Sequence, residues 1–196
     1  INVARENERR LLILPGKYYL NSALDLGGRI YGSWWRGLDN PPVIVLGPNG
    51  TMNLVGLQMC GIVINGSSSS GALSMSDYVH IRECFFDKVT ARINNRTEIS
   101  DCLFRTPSSG ISVLLDQTPE NITIKNCDFE GGGKIEIATA DPCYGFRVMD
   151  NYFKQATLTE MIPTLAQHEV YLRGNYCPDY KTTSTMSRYD TPSQEI

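Results

Sequence analysis

Long apolar runs are missing from this sequence. The longest, Leu11–Leu14 and Val43–Leu46, have strand length and fall far short of a membrane span, so no membrane insertion is expected. A basic surplus is missing too. Eighteen Lys and Arg stand against 21 Asp and Glu, a net charge of −3, and no basic stripe runs along the sequence. This argues against nucleic acid as the main partner. Histidine is scarce: His80 and His168 are the only two, and His80 has no Ser or Cys nucleophile arranged around it. The six cysteines include no Cys-x-x-Cys pair, which excludes the usual zinc spacing. Gly131–Gly133 falls between strands and opens no helix, so it is a turn rather than a phosphate loop. No Asp cluster suited to calcium is visible, and neither metal nor cofactor is expected. No linker divides the chain, which is long enough for one sizeable core.

What the sequence does contain is a recurring phrase. It reads Val79-His-Ile81-Arg-Glu-Cys84-Phe-Phe86, then Thr97-Glu-Ile99-Ser-Asp-Cys102-Leu-Phe104 and Ile122-Thr-Ile124-Lys-Asn-Cys127-Asp-Phe129. Phe146-Arg-Val148-Met-Asp-Asn151-Tyr-Phe153 and Val170-Tyr-Leu172-Arg-Gly-Asn175-Tyr-Cys177 follow. A looser forerunner is Met52-Asn-Leu54-Val-Gly-Leu57-Gln-Met59. The clear copies start at 79, 97, 122, 146 and 170, in steps of 18, 25, 24 and 24. Self-similarity at such a period marks a solenoid.

Within the phrase, apolar residues at places one and three alternate with polar ones, as in a half-buried strand. Inward residues then fall at six and eight, so one residue is absorbed in a tight corner and alternation restarts. Helical fill is absent, as is the Leu skeleton of leucine-rich repeats. The expected fold is therefore all-β: a right-handed parallel β-helix with coils of roughly 24 residues. Residues 1–10 read as the end of an upstream segment or an N-terminal cap, 11–178 as the β-helix, and 179–196 as an extension or linker. The chain opens on Ile1 without Met and reads as part of something longer.

Cys84, Cys102 and Cys127 share the sixth place and should stack at the strand spacing, about 4.8 Å. The expected arrangement is a ladder of buried thiols, with one bridged pair as the alternative.

The opening stretch LLILPGKYYLNSALDLGGRIYGSWW (residues 11–35) has an apolar strand, Pro-Gly-x-Tyr, a strand ending in Leu and an Ile-x-Gly coil. It resembles the first coils of pectate-lyase-like β-helices in bacteriophage tailspikes. The later Ile-x-x-Asn-x-Phe pattern is similar to that superfamily's, with Cys replacing the ladder Asn in three copies. The resemblance implies a tailspike or tail-fibre segment, located in the virion tail at the host surface. It further implies homotrimeric assembly beside other tail proteins and attachment to bacterial capsule or lipopolysaccharide.

Outward places line up from coil to coil. The fifth reads Glu83, Asp101, Asn126, Asp150 and Gly174. Carboxylates one or two coils apart, about 5 or 10 Å, roughly bracket the spacings of retaining and inverting glycosidases. Glu83, Asp101 and Asp150 are thus candidate acid–base residues of a polysaccharide hydrolase or lyase. The competing reading is that acidic residues at a corner serve the turn. The seventh place reads Phe85, Leu103, Asp128, Tyr152 and Tyr176. Tyr152 and Tyr176, with Trp34 and Trp35, are candidates for saccharide stacking or for a subunit interface. Attachment to surface polysaccharide is the expected function, with a polysaccharide depolymerase and a purely structural virion spacer as alternatives.

Overall fold

The computed structural model describes residues 10–32, 40–66, 72–105, 110–115, 117, 119–131, 133–139, 144–154 and 170–176. Strand follows strand, with no helix among these residues. One turn comprises β1 (Arg10–Ile13), β2 (Gly16–Leu20) and the first half of β3 (Ala23–Gly32). The next takes the rest of β3, β4 (Pro42–Leu46) and the first half of β5 (Thr51–Cys60). Then come the rest of β5, β6 (Val63–Asn65) and β7 (Ala72–Ser76), followed by β8 (Val79–Arg82), β9 (Phe85–Asp87) and β10 (Ala91–Ile93). β11 (Thr97–Ser100), β12 (Leu103–Arg105) and β13 (Ile111–Leu115) make a fifth turn, and β14 (Thr123–Lys125), β15 (Asp128–Glu130) and β16 (Lys134–Ile137) a sixth. β17 (Phe146–Met149), β18 (Tyr152–Phe153) and β19 (Val170–Arg173) continue the stack.

All pairings are parallel, giving a three-faced β-solenoid. The first face stacks β1, β3, β5, β8, β11, β14, β17 and β19. The second stacks β2, β4, β6, β9, β12, β15 and β18. The third uses the first halves of β3 and β5 with β7, β10, β13 and β16.

Pairing aligns Gln58, His80, Glu98, Thr123, Arg147 and Tyr171 in one file, although successive members lie 22, 18, 25, 24 and 24 residues apart in the chain. It also corrects the forerunner. Met59 pairs with Ile81 and Cys60 with Arg82, so the true earlier copy is Leu57–Ile64. Met52 and Leu54 belong instead to the third face, opposite Leu73 and Met75. The two halves of β5 meet at Gly56 (φ 57°), where the unbroken strand turns between faces. Residue 10, read as the end of an upstream segment, already pairs as the first residue of β1.

Places one and three are buried throughout, from Leu57 and Met59 to Phe146 and Val148. The eighth place forms a file of rings: Phe86, Phe104, Phe129 and Phe153 stack with centroids 4.6, 4.7 and 4.5 Å apart and planes within 11° of parallel. Each buried Phe contributes about 1.5–3 kcal/mol from removal of apolar surface.

The sixth place changes character along the axis, from Ile62 through Cys84, Cys102 and Cys127 to Asn151 and Asn175. Asn151 accepts from the Cys127 amide (2.9 Å) and donates to the Ile124 carbonyl (3.0 Å) and to Asn175 Oδ1 (3.0 Å). Cys102 donates to the Ser100 carbonyl of its own coil (3.1 Å), and Cys127 to Lys125 of its own coil (3.2 Å) and, at 3.8 Å, to Ile99 of the preceding one. Cys60, Cys84, Cys102 and Cys127 are all free, so the ladder is one of thiols. Burial pushes the Cys84 thiol up to about 12 and Cys102 well above the ordinary range.

Candidate functional site

The fifth-place residues sit at the corner between the first and second faces. Glu83, Asp101, Asn126, Asp150 and Gly174 have φ of 52°, 54°, 51°, 53° and 61°, a left-handed row. Asn, Asp and Gly adopt that conformation with least penalty, which accounts for four of the five residues. Each corner amide from Glu83 to Asp150 donates to the fourth-place carbonyl of the next coil: to Ser100, Lys125, Met149 and Arg173. A backbone requirement therefore suffices to explain an Asp/Asn row here.

The candidate carboxylates are not all brought together. Glu83 and Asp101 border one small hollow with Asn126 and Asp128. Asp150 lies beyond Asn126, one coil further along, against Gly174. Two side chains of the row reach back one coil: Glu83 accepts from Cys60 Sγ at 3.7 Å, and Asn126 Nδ2 donates to Asp101 Oδ1 at 3.5 Å. Burial and the neighbouring Glu83 carboxylate raise the Cys60 pKa.

Beside this corner the first face forms an open groove of about 580 Å³, bordered by Tyr31, Gln58, His80, Arg82, Glu98 and Lys125 among others. Glu98 is held by Lys125 Nζ at 2.7 Å and lies 3.7 Å from His80 Nδ1. The hydrogen bond from Lys125 lowers the Glu98 pKa, and the same bond raises that of Lys125. Arg82 is raised chiefly by its hydrogen bond with Cys60.

On the second face, the rings of Tyr152 and Tyr176 stack 5.6 Å apart and 25° from parallel. They are 36% and 60% exposed, so two aromatic side chains of successive coils present themselves to solvent. Trp34, Trp35 and His168 lie outside the described residues. Among the described residues no group of three or more His, Cys, Asp or Glu is placed to hold a metal ion.

Two features escaped sequence reasoning. Cys60 was hidden by the misregistered forerunner; starting that copy at Leu57 puts Cys60 at the fourth place, beside Arg82. The second is the first face's charge. Arg82, Lys125 and Arg173 all stand at the outward fourth place of their coils. Compared with protein-family models, with curated proteins and with solved structures, the chain matches none.

Proposed function

We propose that this β-solenoid is a segment of a bacteriophage tailspike or tail fibre, working as a homotrimer with other tail proteins to attach the virion to bacterial capsule or lipopolysaccharide. The observation that carries this reading is the exposed Tyr152–Tyr176 stack. The inward places on either side of Tyr152 are filled by Asn151 and Phe153, and Tyr152 and Tyr176 themselves face solvent outside that core. A phenol face turned to water suits the flat C–H face of a sugar ring. The groove along the first face offers polar side chains for the hydroxyls of an extended glycan. The resemblance of residues 11–35 to tailspike coils supports the viral setting.

The test is binding of the assembled protein to immobilised host capsule or lipopolysaccharide. Replacing both rings (Tyr152→Ala with Tyr176→Ala) should weaken binding about tenfold with the oligomer unchanged. Unchanged binding would sink the sugar platform, and a dissociated oligomer would assign the rings to a subunit interface.

A depolymerase is the second reading, favoured by Glu83 and Asp101 bordering one hollow. New reducing ends or an unsaturated product, lost in Glu83→Gln/Asp101→Asn, would support it. Neither binding nor product would leave the virion spacer.

A further inference from the structure

Although the chain is acidic overall, its first face is not. The outward second and fourth places from β1 to β19 hold six Arg or Lys: Arg10, Arg29, Arg82, Lys125, Arg147 and Arg173. The same places hold one carboxylate among the described residues, Glu98, and Lys125 already engages it. Arg29, Arg147 and Arg173 form no ion pair with a described carboxylate. The solenoid has drawn together cations that lie far apart in the chain.

Their spacing is informative. At the fourth place Arg82, Lys125 and Arg173 occupy β8, β14 and β19, with Ser100 and Met149 in the coils between. Cations on alternate strands are about 10 Å apart along the axis. That is comparable with one disaccharide of an extended polysaccharide. It is far sparser than the phosphates of a nucleic acid strand, about 3.4 Å apart along each strand of a duplex. The row is also bordered by the fifth-place carboxylates Glu83, Asp101 and Asp150, which would repel a densely charged polyanion and confine a sparsely charged one to the strand face. Two of the three fourth-place cations are arginines, whose fork pairs with a carboxylate through two hydrogen bonds.

We infer that the first face takes an acidic polysaccharide lying along the solenoid axis, with about one uronate carboxylate per disaccharide. This rests on the attachment reading above and adds the ligand's charge and its period.

The experiment compares the full-length assembled protein on three immobilised polymers at low and high salt: hyaluronan, which carries one uronate per disaccharide, neutral dextran, and single-stranded DNA. Hyaluronan should bind and be released by salt, and the triple variant Arg82→Gln/Lys125→Gln/Arg173→Gln should weaken it about tenfold. The single variant Glu98→Gln should tighten it, because it removes the face's carboxylate and frees Lys125. A gain of that kind cannot come from misfolding. Equal binding of dextran, salt-insensitive binding, or no effect of either variant would overturn the inference while leaving attachment to a glycan standing. Tighter binding of DNA would replace the ligand class with nucleic acid. Failure to bind host polysaccharide or any of the glycans would remove the attachment reading itself.

Discussion

Phe104 and Phe129 lie face to face, with ring centroids 4.7 Å apart and planes 3° from parallel. Neither ring is exposed, and each has a second ring on its other face, Phe86 and Phe153. Phe104→Ala or Phe129→Ala should each cost about 3–5 kcal/mol, through lost burial and the cavity left behind. The double variant should cost less than the sum, since both substitutions remove the same ring–ring contact. Chemical denaturation of the three variants checks both statements.

Asn151 is the polar keystone of the sixth-place ladder. Asn151→Leu would leave the Cys127 amide and the Ile124 carbonyl without their side-chain partner, while Asn175 Oδ1 would keep only the Asn151 backbone N–H (3.1 Å). Each buried group so orphaned costs about 1–3 kcal/mol. Asn151→Cys should be milder, because a thiol already fills the equivalent place at Cys127. An Asn151→Cys variant as unstable as Asn151→Leu would show that the two residue types are not interchangeable in this file.

The ladder thiols should be inert in the folded protein. Thiolate is the reactive form, and burial raises the pKa of Cys84 to about 12 and that of Cys102 well above its usual value. Iodoacetamide at neutral pH, read by site-resolved mass spectrometry, should leave Cys84, Cys102 and Cys127 unmodified until denaturant is added. Rapid native labelling of Cys102 would contradict the packing described.

Glu98 supplies a pH dependence of known sign. Its pKa is depressed in the folded state by the Lys125 hydrogen bond, so the pair's stabilisation is present above the unfolded carboxylate value, about 4.3, and is lost as pH falls through the lower folded value. The Glu98 and Lys125 side chains are 37% and 38% exposed, so screening holds the effect to about 1 kcal/mol or less. Thermal unfolding between about pH 3 and 6 should show it at low salt and lose it at high salt. Glu98→Gln should flatten that part of the profile.

The fold was legible because the phrase repeats both its two-residue alternation and its shift at the corner. Those two marks assign the core faces of Ile81, Ile99, Ile124 and Val148 and the Phe file without coordinates. They fail at β5, where Met52–Leu54 and Leu57–Met59 both alternate and the turn between them is a single Gly56. The candidate site was legible only in part. Tyr152 and Tyr176 share an obvious place in adjacent copies. Arg82, Lys125 and Arg173 do not, since they skip alternate coils and differ in residue type, with Glu98 at the second place between the first two. A second left-handed row, Gly56, Tyr78, Arg96, Asn121 and Gly145, stands just before the copies that start at 57, 79, 97, 122 and 146 and also went unread. Its residue types share little, and at Tyr78 and Arg96 the compensation is mutual: the guanidinium lies 5.0 Å from the ring centre and donates to its hydroxyl at 3.0 Å.

The corner that admits Asp, Asn and Gly has a consequence for how such a scaffold acquires new work. Each added coil brings one more residue drawn from that short menu, in line with the last. Carboxylates and carboxamides thus accumulate in single file as raw material, before any ligand has acted on them. A new specificity could then arise by changing one neighbour of the file, with the chain's path left untouched.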